Sequence, residues 1–405
     1  MMPHLRKRYL ENIVEKTMKF SGLVGVLGHR QVGKTTLLES LCQKYFTLDR
    51  KSERDAAETN PAEYLEKRAG AWVGLDECQT VPVLFPELKE WVRTHKKPGQ
   101  FLLSGSIRFS SRDAIRESLT GRIINHELLP FTVSELEEVP LPTICPDLLK
   151  MDSLESFFSF PLKSTQELKK IGNRINQYFE CGGLPGICFI REPKLRAQKI
   201  NEQLNTLLDR DLRLVKKILL PLGDLRAILA ALARLQGKPL DFTQIQRDTG
   251  ISTPTIKKVL YALEAIFLIR LISIEGSGSG KTIFFEDQAE FSFIHETETH
   301  LLEKLVHFCF VNLRAQFAYQ LGENTQIFQY RTRGGAVVPL VFRNRIGCLG
   351  IIPILSPDQA SSVLGSVNSF LKTYSNGKVL LLHPGVERPK LVQPRTLLLP
   401  LGQVI

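Results

Sequence analysis

The stretch Gly28-His29-Arg30-Gln31-Val32-Gly33-Lys34-Thr35 sets four residues between two glycines and then adds a lysine and a hydroxyl. That spacing lets a tight loop turn backbone N–H groups inward on an anion such as a triphosphate. In such a loop Lys34 is the mobile cation that reaches the β- and γ-phosphates, and Thr35 is the hydroxyl that ligates Mg2+. Thr36 completes the segment expected to touch the nucleotide. A second group stands in Ala71-Trp72-Val73-Gly74-Leu75-Asp76-Glu77, where an apolar run ends in two acids. Asp76 is expected to hold the metal shell, and Glu77 to polarise an attacking water. A third run, Phe101-Leu102-Leu103, ends in Ser104 and Ser106. A hydroxyl there either senses the terminal phosphate or belongs to an ordinary strand-to-helix turn. Among Arg108, Arg112, Arg116 and Arg122, one is a candidate for stabilising transition-state charge; the alternative is a solvated helix face.

These groups need elements to aim them. The run Leu23–Leu27 predicts a buried strand, and Thr36–Leu41 has helical spacing, so a helix N-terminus points at the loop. A second Gly-Lys-Thr occurs in Gly276-Ser277-Gly278-Ser279-Gly280-Lys281-Thr282, but its first glycine is misplaced by one residue. The strand-like Thr282-Ile283-Phe284-Phe285 follows it, and Leu271-Ile272-Ser273-Ile274 precedes it. This stretch predicts a hairpin turn, not a second phosphate loop.

Over residues 1–138, strand-like runs at 23–27, 72–75, 101–103 and 123–128 alternate with helical ones, which predicts a parallel α/β sheet. Prolines then punctuate a connector, and residues 139–220 form a connector and helical region, interrupted at Gly182–Gly186. Residues 221–290 read as a winged helix-turn-helix. A helix over 224–236 is followed by a short one ending at Gly250, and a third starts after Ser252, a candidate N-cap, with Pro254 in its first turn. The hairpin is then the wing. Thr253, Thr255, Lys257 and Lys258 on the third helix, with Lys281 on the wing, are candidates for double-stranded DNA; such modules equally serve in packing or dimerisation. Residues 291–405 predict a small α/β unit with a helix over 297–316 and strands at 337–342 and 378–382. Arg331, Arg333, Arg343 and Arg345 there either meet a phosphate backbone or are solvated.

At 405 residues the chain exceeds one core, and 43% hydrophobic with 23% charged residues is a globular composition. Apolar runs fall short of a membrane span, and no signal peptide is expected at the N-terminus. Seven cysteines, odd in number and never in C-x-x-C spacing, predict reduced thiols, a cytoplasmic setting and no structural zinc. Of the net charge of +11, +9 arises after residue 150, which fits either a nucleic-acid or other acidic partner or ordinary solubility charge.

"GHRQVGKTTLLES", "YFTLDR…NPAEYLE", "LDECQTVPVLFPELKEWV", "FLLSGSIRFSSRDAIRESLTGRIINHELLPFTVSEL" and "YFECGGLPG" together resemble a family of prokaryotic AAA+-type P-loop ATPases. Its members carry a winged helix and a C-terminal domain of unknown function related to PD-(D/E)xK nucleases. The resemblance covers most of residues 5–290. It implies an ASCE-type sheet with the Asp76 strand (Walker B) beside the strand of the phosphate loop (Walker A), Ser104 to Ser106 as a sensor, and Arg122 near the nucleotide. The chain departs from the family at His29 (usually Pro), at Gly74, and at Cys78 (usually Ile).

The nuclease motif is degenerate. Glu303 fits the acid-bearing helix, but no Asp or Glu occurs between Glu323 and Asp358, and no Lys between Lys304 and Lys372. Two carboxylates and a lysine are needed to hold a metal and activate water there. The leading expectation is a Mg2+-dependent ATPase acting as a switch, with nucleic acid, a protein or a second copy as candidate partners and no membrane. The alternatives are a small-molecule kinase, or a DNA-binding regulator that binds ATP without significant turnover.

Overall fold

The computed structural model describes residues 5–111, 121–276, 280–295, 300–322 and 325–405. Five strands form a parallel sheet: β1 (Leu23–Leu27), β2 (Lys44–Thr47), β3 (Val73–Asp76), β4 (Phe101–Gly105) and β5 (Ile123–Glu127), in the order β2-β3-β4-β1-β5. The central strands are continuous apolar runs because both faces are covered. Leu23 and Leu27 join a core with Leu75, Phe101 and Leu103, whereas Val24 and Val26 face the opposite core with Leu37, Leu38 and Leu102. Helix Lys34–Leu41 makes the first crossover and helix Leu84–His95 that between β3 and β4.

Two expectations change here. The strand ending in Asp76 is not beside β1, because β4 inserts between them. The short strand β2 was not read in the sequence; with Lys44 exposed and three half-buried residues after it, it lacks the apolar run of the inner strands. Arg112 and Arg116 lie outside the described residues.

Helices Thr165–Cys181 and Pro193–Thr206 flank the glycine-rich turn at 182–186. The first begins with a capping box in which Ser164 and Glu167 each bond the other's backbone N–H. In that turn Gly182 has φ +63°, and a Cβ there would lie 2.4 Å from an Asp287 carboxylate oxygen. A Cβ on Gly186 would lie 2.6 Å from Gln31 Oε1. The turn therefore approaches the phosphate loop on one side and Asp287 on the other.

Helices Leu222–Ala233, Phe242–Thr249 and Thr253–Ala265 follow. Asp241 caps the second through Gln244 N–H, and Gly250 ends it in a left-handed conformation. Ser252 precedes the third, but its hydroxyl meets that of Thr255 rather than a backbone N–H. The hairpin is formed by β6 (Ile269–Gly276) and β7 (Lys281–Phe285), antiparallel from Ile269↔Phe285 to Ser273↔Lys281. Residues 277–279 of its turn lie outside the described residues.

The hairpin is not free-standing. It forms one end of an eight-stranded sheet with β8 (Gln326–Arg331), β9 (Val337–Arg343), β10 (Cys348–Pro353), β11 (Gly377–His383), β12 (Lys390–Gln393) and β13 (Thr396–Pro400), ordered β12-β13-β11-β10-β9-β8-β6-β7. The boundary drawn at residue 290 falls inside helix Gln288–Ile294. Helix Leu301–Leu321 is buried along most of its length and packs on β9 and β10; residues 297–299 of the expected helix lie outside the described ones. Among the described residues no helix is long and apolar enough to cross a membrane. All seven cysteines are free thiols.

Candidate functional site

The loop between β1 and helix Lys34–Leu41 stands at the carboxyl end of the sheet, where open α/β sheets bind ligands. Its backbone is bent at Gly28 (φ +159°), Gln31 (φ +62°) and Gly33 (φ +101°). Three side chains hold its carbonyls. Lys34 Nζ donates to Gly28 O at 3.0 Å and His29 O at 2.9 Å. The His29 ring nitrogen Nδ1 lies 2.6 Å from Arg30 O, and Arg8 Nη1 donates to Val32 O at 2.7 Å. With those oxygens turned away, the N–H groups at the start of the helix are the ones left for an anion. Burial lowers the pKa of Lys34, while the charges of Glu77 and Asp76 oppose the shift. The remaining loop side chains point away from the phosphate position. Arg30 pairs with the buried Asp211 at 3.0 Å, Gln31 lies against Gly186, and Val32 is buried. Thr36 is exposed on the helix's first turn.

Asp76 and Glu77 sit at the end of β3. Asp76 Oδ2 accepts from Thr35 Oγ1 at 2.7 Å and from Tyr45 OH at 2.7 Å. Its Oδ1 accepts from the Glu77 N–H at 3.1 Å and from the Ser104 hydroxyl. Glu77 adopts a left-handed conformation (φ +57°), uncommon for a residue with a side chain, and this turns its carboxylate off the strand line. The Ser106 hydroxyl donates to Glu77 Oε2 at 3.1 Å, and the Gln79 amide donates to the same oxygen. A second Gln79 bond, to Ser106 Oγ at 3.1 Å, closes the triangle.

The insertion of β4 between β3 and β1 explains this arrangement, since it sets Ser104 against Asp76 and Ser106 against Glu77. Thr35 and Asp76 are adjacent oxygen donors of the kind Mg2+ takes, so the residues present fit that ion. Sequence reading missed Tyr45, hidden in a strand too polar to recognise, and Gln79, two residues beyond Glu77 in a short 3-10 turn.

Arg122 requires a correction. Leu23 pairs with Ile123, so Arg122 is level with Gly22 at the opposite strand ends from the loop. Five residues of strand at about 3.3 Å each put it ~16 Å from the phosphate position of its own chain. Arg108 is also elsewhere, 3.4 Å from Glu127 and bonded to Glu264 O at 3.2 Å. Thr253 bonds Gln246 Oε1 at 2.8 Å, Thr255 is half-buried, and Lys257, Lys258 and Lys281 are exposed. Glu303 pairs with Lys238 at 2.8 Å. Among the described residues no three or more His, Cys, Asp or Glu form a group suited to a metal.

Residues 21–137 match the family model of an AAA domain, and residues 172–282 match that of a domain of unknown function (DUF8612). Uncharacterized protein Rv2008c of Mycobacterium tuberculosis and Uncharacterized protein Mb2031c of Mycobacterium bovis are each 24% identical over 287 residues. The alignments cover 70% of this chain and 56% of theirs, so the chain spans little more than half the length of these relatives. A solved structure, the Walker-type ATPase PABY2304 of Pyrococcus abyssi, aligns with a TM-score of 0.37 and 14% identity, over 70% of this chain and 94% of that one. The parallel sheet and the loop geometry agree with the AAA-domain match over residues 21–137, and both support a P-loop type of ATPase domain there.

Proposed function

We propose that the protein binds Mg2+ and ATP and hydrolyses the nucleotide as a conformational switch. The observation that carries this reading is the hydrogen-bonded group Asp76, Glu77, Gln79, Ser104 and Ser106 set beside Lys34 and Thr35. Lys34 would leave its loop carbonyls for the β- and γ-phosphates, and Thr35 with Asp76 would hold the metal shell. Bound Mg2+ neutralises charge on the phosphates. Ser106 and Gln79 orient the Glu77 carboxylate so that it can accept a proton from water, and Ser104 fixes Asp76 beneath it. The acid pair at the end of β3 beside the hydroxyls that end β4 favours hydrolysis over transfer to a small-molecule acceptor. Inorganic phosphate release from Mg·ATP with no acceptor added tests the choice. ADP formation that requires an added small-molecule acceptor, with no inorganic phosphate released, would turn the reading toward a kinase.

Arg122 stands too far from its own loop, so a role at a nucleotide falls to the site of a neighbouring copy. The three helices and hairpin of 222–285 support the reading as a winged helix, and residues 291–405 are read as a nuclease-like unit without nuclease chemistry, because β9 and β10 carry no acid. Contact with double-stranded DNA would run through the exposed Lys257 and Lys258. Each phosphate neutralised contributes about 0.9 to the slope of log affinity against log salt, so replacing both lysines by alanine should flatten that slope by about 1.8. Salt titration of duplex binding measures this; an unchanged slope would remove this helix from the interface. Binding of ATP by a DNA-binding regulator without turnover is the alternative, and it predicts no phosphate release in the first assay.

A further inference from the structure

His29 turns its side chain away from the phosphates into a site that water does not reach, at 1% exposure, against Glu290 at 0%. Two distances define its state. Nδ1 lies 2.6 Å from the carbonyl of Arg30, which can only accept, so Nδ1 carries a proton. Nε2 lies at an ion-pair distance of 3.1 Å from Glu290 Oε2, and neither atom is hydrogen-bonded to any other group. The other oxygen of Glu290 accepts from the Gln203 amide at 2.8 Å. An unprotonated Nε2 facing that carboxylate would set two acceptors against each other in a dry pocket, a costly arrangement. A proton on this contact removes the clash, and the raised pKa of His29 puts it on the ring, as an imidazolium with one proton on the phosphate loop's own backbone and the other toward Glu290.

Glu290 belongs to helix Gln288–Ile294, whose N-cap is Asp287. Asp287 in turn accepts from the Gly183 N–H at 2.7 Å, and Gly186, three residues on, lies against Gln31 of the loop. A closed ring thus runs from the loop through the glycine-rich turn to Asp287, along one helical turn to Glu290, and back to His29. The Arg30–Asp211 pair adds a second tie to the helical region.

We propose that Glu290 is a positioning residue for the phosphate loop, acting through the His29 imidazolium, so that nucleotide occupancy and the seating of helix Gln288–Ile294 are coupled. This rests on the nucleotide reading above. Burial alone would lower the pKa of His29; the charge and hydrogen bond of Glu290, the Arg30 carbonyl and the charge of Asp287 outweigh it and hold it above the ordinary 6.5. A histidine with a raised folded-state pKa contributes fully below 6.5, and its contribution is lost as pH rises through the raised value. The charged groups around it are Glu290 and Asp287 on one side, and Arg30, Lys34 and Asp211 on the other. Asp287, raised to about 6 by burial and by Glu290, titrates below that window. Linkage is reciprocal: if protonated His29 favours the nucleotide, bound nucleotide must raise the pKa of His29 by the same factor.

The test follows the His29 ring by NMR between pH 6.5 and 9 in the full chain, with and without Mg2+ and a non-hydrolysable ATP analogue, alongside analogue affinity over the same range. The wild type should titrate above 6.5, bind less tightly as pH rises, and titrate higher with nucleotide. Glu290→Gln should lower the His29 midpoint by about one pH unit or more, a tenfold change in proton affinity, and should weaken binding at pH 7.5. Thermal unfolding monitors whether that variant folds. His29→Gln provides the second arm, with an affinity flat across the window. A midpoint unmoved by both Glu290→Gln and bound nucleotide overturns the coupling alone. No nucleotide binding at any pH overturns the nucleotide reading, and the coupling with it.

Discussion

Glu77→Gln is expected to bind Mg·ATP as the wild type does and to release phosphate about 10²–10⁴-fold more slowly, the range over which a positioned general base contributes. The amide occupies the same space and can keep the hydrogen bond from Ser106, but it cannot take a proton from water. Single-turnover phosphate release, with binding measured separately, checks both halves of the expectation. Unchanged release would move the proton acceptor elsewhere. A joint loss of binding and release would mean that Glu77 shapes the pocket rather than the chemistry.

Lys34→Ala should weaken Mg·ATP binding by about 10- to 100-fold. Hydrogen bonds to a charged group contribute ~1.5–3 kcal/mol, and each 1.4 kcal/mol is a factor of ten in affinity. The companion change, Lys281→Ala, should leave affinity untouched. Lys281 opens strand β7 of a hairpin and is exposed there, with no helix following to aim N–H groups at a phosphate. Calorimetry on the two variants decides between the loops. Loss of affinity in Lys281→Ala with retention in Lys34→Ala would reverse their assignment.

The phosphate loop and the acids at the end of β3 were legible because their chemistry is local. Glycine spacing, an apolar run before it and a helical run after it are all contained in one short window, and the same holds for Asp76 and Glu77. The partners of those residues were less legible. Tyr45 reaches Asp76 from a strand whose exposed Lys44 hides it, and Gln79 reaches Glu77 only because Glu77 takes a left-handed conformation. His29 and Glu290 meet across most of the chain, and no window in the sequence contains both. Which site Arg122 could serve was not legible, for a different reason. It precedes its strand, and in a parallel sheet whatever precedes a strand lies at the end away from the ligand. Proximity to a motif-bearing strand in sequence carried no information about which end of the sheet was meant. The hairpin was read correctly as a hairpin, yet its parallel pairing with β8, from Ser273↔Phe328 to Gly276↔Arg331, had no local signature.

That pairing limits how the molecule can be divided. A chain cut after β7 would turn β6 from an inner strand into a raw edge, with the row of N–H and C=O groups from Ser273 to Gly276 stripped of partners. It would also uncover Phe284, now stacked on Phe310 at 4.3 Å between ring centres. An unpaired strand beside an exposed aromatic is a template for joining other chains. The fragment ending at the hairpin would be sticky, and its self-association would be easily mistaken for a native interface.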